Sequence, residues 1–80
     1  MSLYSVVWVG HAEEQFNSLS WPVRQSVMAK VGLLQQDPTH HGVYSKKADN
    51  YTTDFEYGII VYAVVADQLT IIMLRVSAVD

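Results

Sequence analysis

The sequence predicts an α+β domain in which an N-terminal strand and a helical hairpin precede a mostly antiparallel sheet. The expected order is β-α-α-β-β-β, with the helices packed on one face of the sheet. Residues 3–9 are strand-like, residues 10–36 carry apolar side chains at helical spacing, and residues 51–79 are dense in β-branched and aromatic side chains. Eighty residues are enough for one domain, 1–80.

The composition limits the kind of protein this is. Half of the residues (50%) are hydrophobic, which for a small domain predicts a lasting partner, either a second copy or a different chain. The absence of cysteine excludes disulfides and thiolate metal ligands, so we expect a reducing cytoplasm and neither metal nor cofactor. A net charge of −3 provides no overall attraction for nucleic acid.

We also expect no membrane segment and no signal peptide. No apolar run reaches the roughly 18 to 20 residues that span a bilayer. The first residues lack a basic start and a small-residue cleavage pattern.

The first strand is predicted from Leu3 to Val9 and closes at Gly10. Tyr4, Val6 and Trp8 share one of its faces, and the other face is also mostly apolar. We therefore expect this strand to lie inside the sheet or to be covered on both sides.

Two helices follow. In the first, from Gly10 to Leu19, the apolar residues Ala12, Phe16 and Leu19 recur at helical spacing. A proline in the first turn starts the second helix at Trp21 or Pro22, and Asp37-Pro38 ends it. Its apolar stripe consists of Val23, Val27, Val31 and Leu34.

The polar residues 39–50 contain turn signals, and Val43 to Ser45 is predicted as a short edge strand. Residues 51–79 then read as strand, turn and strand, with the turn at Ala66 to Gln68. A two-residue turn would place Arg75 on one face with Met73 and Ser77, whereas a three-residue turn would change the grouping. With two residues, the wholly apolar face expected under the helices consists of Ile59, Val61, Ala63, Ile72, Leu74 and Val76.

Short motifs recur in a characteristic order through nearly the whole chain. They are Tyr4-Ser5-Val6-Val7-Trp8 followed by Ala12 and Phe16, Pro22-Val23-Arg24 through Leu34 with Asp37-Pro38, Tyr51 followed by Gly58 to Val64, Leu69-Thr70-Ile71-Ile72, and Leu74-Arg75-Val76. In this order and spacing they resemble the RelE/ParE toxin superfamily of bacterial type II toxin–antitoxin systems. The resemblance implies a small RelE-like fold, a cognate antitoxin as partner, and a cytoplasmic role in stress response through inhibition of translation.

The sequence departs from the family pattern where the family carries its basic residues. Those positions are Thr52, Asp54 and Ile59, and the basic step after the last strand is here Ser77-Ala78-Val79. Metal-free RNA cleavage needs a base, an acid and cations for the charge that develops on the phosphate. The matched catalytic set is therefore absent, and the catalytic residues stay unassigned.

Four residues are candidates for nucleic-acid binding: Arg75, Lys46, Lys47 and Tyr51. The two lysines lie beside Tyr44 and Tyr51 and form the one basic and aromatic cluster. The alternative for them is a solvated polar loop, because two lysines supply little phosphate contact. Arg75 must reach solvent, an acidic partner or a phosphate, and its alternative is a surface arginine that pairs with Glu56 or Asp54.

His40 and His41 have the chemistry of a general acid and base, but no supporting carboxylate or third ligand stands at a suitable spacing. Loop histidines are the favoured interpretation.

Two functions remain open. The first is a toxin that inhibits translation by ribosome-dependent mRNA cleavage, if active residues have been relocated. The second is an interaction module of the same fold without nuclease activity, which binds an antitoxin, acts on gyrase or forms a homodimer.

Overall fold

The computed structural model describes residues 3–79, in which a helical hairpin packs on one face of a five-stranded sheet. This confirms the predicted α+β class. The strands lie in the order β1-β5-β4-β3-β2; β1 and β5 are parallel, and the other neighbours are antiparallel. The elements are β1 (Ser5–Trp8), α1 (Gly10–Asn17), α2 (Trp21–Gln36), β2 (Val43–Ser45), β3 (Asn50–Phe55), β4 (Gly58–Val65) and β5 (Thr70–Ala78).

The helices cover the sheet with the residues that the helical spacing predicts. The α2 stripe of Val23, Val27, Val31 and Leu34 is buried, and Ala12 is the buried residue of α1. Each fully buried aliphatic side chain of this kind contributes about 1.5–3 kcal/mol through the hydrophobic effect. Within residues 3–79 no helix combines the length and apolar character needed to cross a membrane.

The strands depart from the prediction in two places. Residues 51–79 form three strands rather than two, because Glu56 and Tyr57 turn the chain between β3 and β4. The expectation that the first strand lies inside the sheet or is covered on both sides is wrong, since β1 forms an edge of the sheet and Val7 is 51% exposed. The short strand β2 forms the opposite edge, as predicted.

The face of the sheet expected under the helices is wrong for Ile59, Val61, Ala63 and Ile72, whereas Val76 is buried under the helices as predicted. The other residues that the helices cover belong to the alternate set of Ile60, Tyr62, Val64, Ile71 and Met73, all in or packed against the core. Both faces of this strand pair are apolar, so the alternation of residue types did not distinguish them.

A β-bulge in β5 is a second reason for the wrong assignment of the two faces. Four residues separate β4 from β5, and Tyr62 pairs with Met73 whereas Val61 pairs with Arg75, so that Leu74 is an extra residue. The bulge turns Val76 to the helix side and leaves Arg75 on the opposite face. Arg75 therefore shares a face with Ser77 but not with Met73.

Candidate functional site

The sheet face opposite the helices, which we call the open face, is apolar and uncovered by any element of residues 3–79. Three of its apolar side chains are substantially exposed: Val43 (76%), Val7 (51%) and Ile59 (38%). Asp54 and Arg75 are the charged residues on it within the described chain. The open face consists of Val7, Val43, Thr52, Asp54, Ile59, Val61, Ala63, Ile72, Arg75 and Ser77.

Three positions at which the resemblance implies basic residues lie together on the open face. Asp54 pairs directly with Ile59 across β3 and β4, and Thr52 is two residues from Asp54 on β3. Val79 follows β5 and is 82% exposed. A hydroxyl, a carboxylate and two alkyl groups thus occupy positions where the family would hold cations, and these four positions supply no positive charge to stabilise an anionic transition state.

A shallow depression of about 490 Å³ lies beside these residues, between strands β3 and β4 and the loop that leaves α2. It brings both histidines near Asp54, which their separation in the sequence did not predict. A carboxylate and two imidazoles have the groups needed for proton transfer at neutral pH, although no described lysine or arginine lines the depression. The lining residues are His40, His41, Gly42, Val43, Thr52, Thr53, Asp54 and Ile59.

Two hydroxyl groups hold the loop of this depression against the sheet. The buried Thr53 Oγ1 donates to the backbone oxygen of His41 at 2.5 Å, and the Tyr62 hydroxyl donates to the backbone oxygen of Pro38 at 2.6 Å. Burial, with smaller contributions from nearby Tyr51 and Asp37, raises the pKa of Tyr62 to about 12. Tyr62 is therefore a neutral hydrogen-bond donor with a structural role.

Gly42 allows the loop to approach the sheet this closely. A Cβ atom at this position would overlap the hydroxyl of Tyr62 and lie 3.1 Å from the backbone oxygen of Thr52. The glycine is thus required by the close approach of the loop to the Tyr62 side chain and to the backbone of β3.

His40 is engaged outside the sheet. Its Nδ1 lies 2.8 Å from Asp37 Oδ1, and both side chains are exposed to solvent. The hydrogen bond from His40 lowers the pKa of Asp37. An exposed pair of this kind contributes little to stability, but it holds one imidazole at the rim of the depression.

The structure divides the four predicted nucleic-acid-binding residues between two faces. Lys46 and Lys47 are exposed in the turn between β2 and β3, and Tyr51 follows on the helix side of the sheet. The Tyr51 ring already contacts two other rings: it is stacked on Tyr62 with centroids 5.4 Å apart and tilted against Tyr44 at 5.0 Å. Arg75 lies on the open face, away from this cluster, and nucleic-acid binding by these residues remains a prediction.

Arg75 is exposed and forms no ion pair with any residue from 3 to 79, including Glu56 and Asp54. The backbone next to it is bonded to a residue that the sequence did not single out. The Gln15 side chain of α1 accepts a hydrogen bond from the backbone N–H of Val76 at 2.8 Å. This bond satisfies an amide beside the bulge, which no pattern in the sequence would have located.

Among residues 3–79, no group of three or more histidine, aspartate or glutamate side chains is placed to hold an ion.

No protein-family model matches the sequence, and no curated protein matches it at the significance we required. Solved structures do match. A chain of the toxin–antitoxin complex RelBE2 from Mycobacterium tuberculosis superposes with a TM-score of 0.86 at 20% identity, covering 99% of this chain and 94% of that one. The isolated RelE toxin from E. coli gives 0.82 at 17% identity, covering 96% and 85%.

A chain of the intact E. coli RelBE toxin–antitoxin complex gives a TM-score of 0.75 at 17% identity, covering 96% of this chain and 98% of that one. The chain therefore has the RelE-like toxin fold that the resemblance implies, over nearly its whole length.

Proposed function

We propose that this chain is a toxin-like protein of a type II toxin–antitoxin system, and that in the cytoplasm it binds a cognate antitoxin protein. The observation that carries the proposal is the RelE-like fold over 99% of the chain. Two of the similar structures are toxin–antitoxin complexes, which supports an antitoxin as the partner. At such low identity a shared fold does not transfer activity, so the residues must decide the mechanism.

The surface best suited to an antitoxin lies on the helix side. Trp21 and Met28 are seven residues apart on α2 and are 67% and 47% exposed. Beside Met28, a depression of about 330 Å³ contains the rings of Trp8 and Phe16, whose centroids are 5.0 Å apart, with Glu13 at its edge. An apolar groove with an acidic rim suits the apolar face of an amphipathic helix that carries basic flanks.

We infer that binding, rather than RNA cleavage, is the principal activity. The open face has one cation, Arg75, balanced by one anion, Asp54. A phosphate that accumulates charge in a transition state would find few donors there.

A second candidate is ribosome-dependent mRNA cleavage, which inhibits translation. The depression favours this second candidate. It is lined by His40, His41 and Asp54, and three of the positions at which the family carries basic residues lie in it. In this mechanism an imidazole would accept the proton of the 2′-hydroxyl and a second acid would protonate the leaving oxygen. A third outcome, action on gyrase, has no residue-level support on this surface.

Expression in bacteria separates these candidates. The chain is induced alone and together with the product of the neighbouring reading frame, while growth, mRNA ends and DNA-damage markers are followed. Co-purification of the neighbouring product, lost in Met28→Glu but kept in Lys47→Glu, supports antitoxin binding on the helix side. Failure of the neighbouring product to bind the folded chain contradicts the proposal.

The same experiment tests the nuclease. Transcripts cut on induction, with cutting lost in His41→Ala and Asp54→Asn, would establish cleavage at the depression. Cutting that disappears only in the triple variant Arg75→Ala, Lys46→Ala, Lys47→Ala would instead assign activity to the cations. DNA-damage markers without cut transcripts would indicate gyrase.

A further inference from the structure

We propose that the open face is a dimer interface at which two copies of this chain pack sheet to sheet. The inference concerns a surface that the antitoxin model leaves free, and it does not depend on antitoxin binding. It rests on three features of the face: its apolar composition, the placement of its two charges and its area.

The composition of the open face is that of a buried layer. The side chains of Val61, Ala63 and Ile72 are only partly covered, and no helix, loop or terminus within residues 3–79 lies over them. Valine, isoleucine and alanine on a pleated surface interdigitate well with a second sheet at about 10 Å separation. The opposite face of the same sheet has a similar apolar composition and is already buried under the helices.

The two charges make the face complementary to itself. Asp54 is on β3 and Arg75 on β5, two strand spacings apart and offset by two residues along the strands, so their backbones are separated by about 12 Å. Neither side chain has an ion-pair partner within residues 3–79. A two-fold axis in the plane of the interface, crossing β4 between Ile59 and Val61, places Arg75 of each copy opposite Asp54 of the other.

The pairing of one positive with one negative charge also argues against the two main alternative partners, which are nucleic acid and a protein surface with one sign of charge. Nucleic acid needs a surplus of cations, whereas the open face is electrically balanced. A partner with one sign of charge would satisfy either Asp54 or Arg75 and leave the other unpaired in a desolvated layer. A second copy satisfies both charges with the same pair of contacts.

The area is sufficient for a modest dimer. The five strands together contain 30 residues, so a rise of about 3.3 Å per residue and a strand spacing of about 4.8 Å give a footprint of about 480 Å² for each copy. The pleated surface has a larger accessible area, so a pair would bury about 1,000 Å² in total, near the lower bound for a specific interface. We therefore expect reversible association with a dissociation constant in the micromolar range.

Sedimentation equilibrium of the isolated protein, from about 1 µM to about 500 µM, tests this proposal. We expect a monomer–dimer equilibrium. Arg75→Asp and Asp54→Arg should each weaken the dimer by about 10- to 100-fold, because like charges then face each other twice. Lys47→Asp and Asp67→Arg make the same charge changes in exposed turns away from the open face and should leave association unchanged.

Mixing provides the decisive result. When Arg75→Asp protein meets Asp54→Arg protein, every facing pair is again opposite in charge. The 1:1 heterodimer should therefore form within about tenfold of the wild-type dissociation constant, while each variant alone keeps its about 10- to 100-fold weaker association. This pattern identifies the two residues as facing partners across a symmetric interface.

Three results would overturn the inference: a monomer throughout the concentration range, a dimer indifferent to both charge reversals, or no heterodimer on mixing. If circular dichroism shows that a charge-reversal variant does not fold, the neutral variants Arg75→Gln and Asp54→Asn are used in its place. A dimer that neither neutral variant weakens counts against the inference. Because antitoxin is absent, failure here leaves the antitoxin proposal intact, and Met28→Glu should bind no antitoxin yet dimerise normally.

Discussion

Replacing Tyr62 by phenylalanine tests whether the loop beside the depression is held by a single buried hydroxyl. The ring of Tyr62 is 0% exposed and its hydroxyl donates to the backbone oxygen of Pro38 at 2.6 Å. Phenylalanine keeps the ring and its packing but leaves that oxygen without its donor. The free energy of unfolding should fall by about 1–2 kcal/mol at pH 7.

The pH dependence of this loss follows from the raised pKa of Tyr62, which moves from 10.0 to about 12 on folding. A tyrosine whose pKa is raised in the folded state stabilises that state fully below the unfolded pKa, and the contribution is lost as pH rises toward the folded one. Between pH 9 and pH 11 the wild type should therefore lose about 1.3 kcal/mol more than the phenylalanine variant.

Urea unfolding at one low protein concentration, followed by circular dichroism at pH 7, 9 and 11, measures both effects. Tyr44→Phe is the matched control, because Tyr44 also donates a hydroxyl hydrogen bond, to Asp49, but is 48% exposed and can bond to water instead. Its cost at pH 7 should be below about 0.5 kcal/mol. If the stability of Tyr62→Phe falls between pH 9 and 11 as steeply as that of the wild type, the assignment of this hydroxyl as a buried neutral donor is refuted.

Two further changes test other parts of the same framework. Gln15→Ala should cost about 1–2 kcal/mol in urea unfolding and speed hydrogen exchange at the Val76 amide, whereas Gln25→Ala on the exposed side of α2 should do neither. Gly42→Ala should destabilise by about 1–3 kcal/mol because the new Cβ displaces the loop, while Gly32→Ala, which meets nothing within 4 Å inside α2, should stabilise by about 0.5–1 kcal/mol. Equal melting temperatures for the two glycine variants would contradict the close approach at Gly42.

The helices and the fold class could be predicted because their signals are local. The spacing of Val23, Val27, Val31 and Leu34 identifies the buried side of α2 without knowledge of its neighbours. The order of the elements then suffices for the fold class, since few arrangements cover an apolar stripe with an apolar sheet.

The face assignments failed because they depend on contacts between distant residues. A bulge at Leu74 changes the alternation within β5, and Gln15, which accepts the hydrogen bond of Val76 beside the bulge, lies 61 residues from Val76 in the sequence. The gathering of His40, His41 and Asp54 around one depression depends likewise on the return of the loop over β3. Neither residue type nor spacing indicates such long-range placement.

The position of β1 has a consequence for how this protein folds. Ser5 pairs with Thr70 and Trp8 with Met73, so the first strand can join the sheet only after the last strand exists. Until then the apolar residues of β1 have no backbone partner, and the helical hairpin has only part of its sheet to cover. Pairing between strands so far apart in the sequence is slow, and the incompletely folded chain is prone to aggregate. The step that completes this sheet should therefore be the step that limits its folding rate.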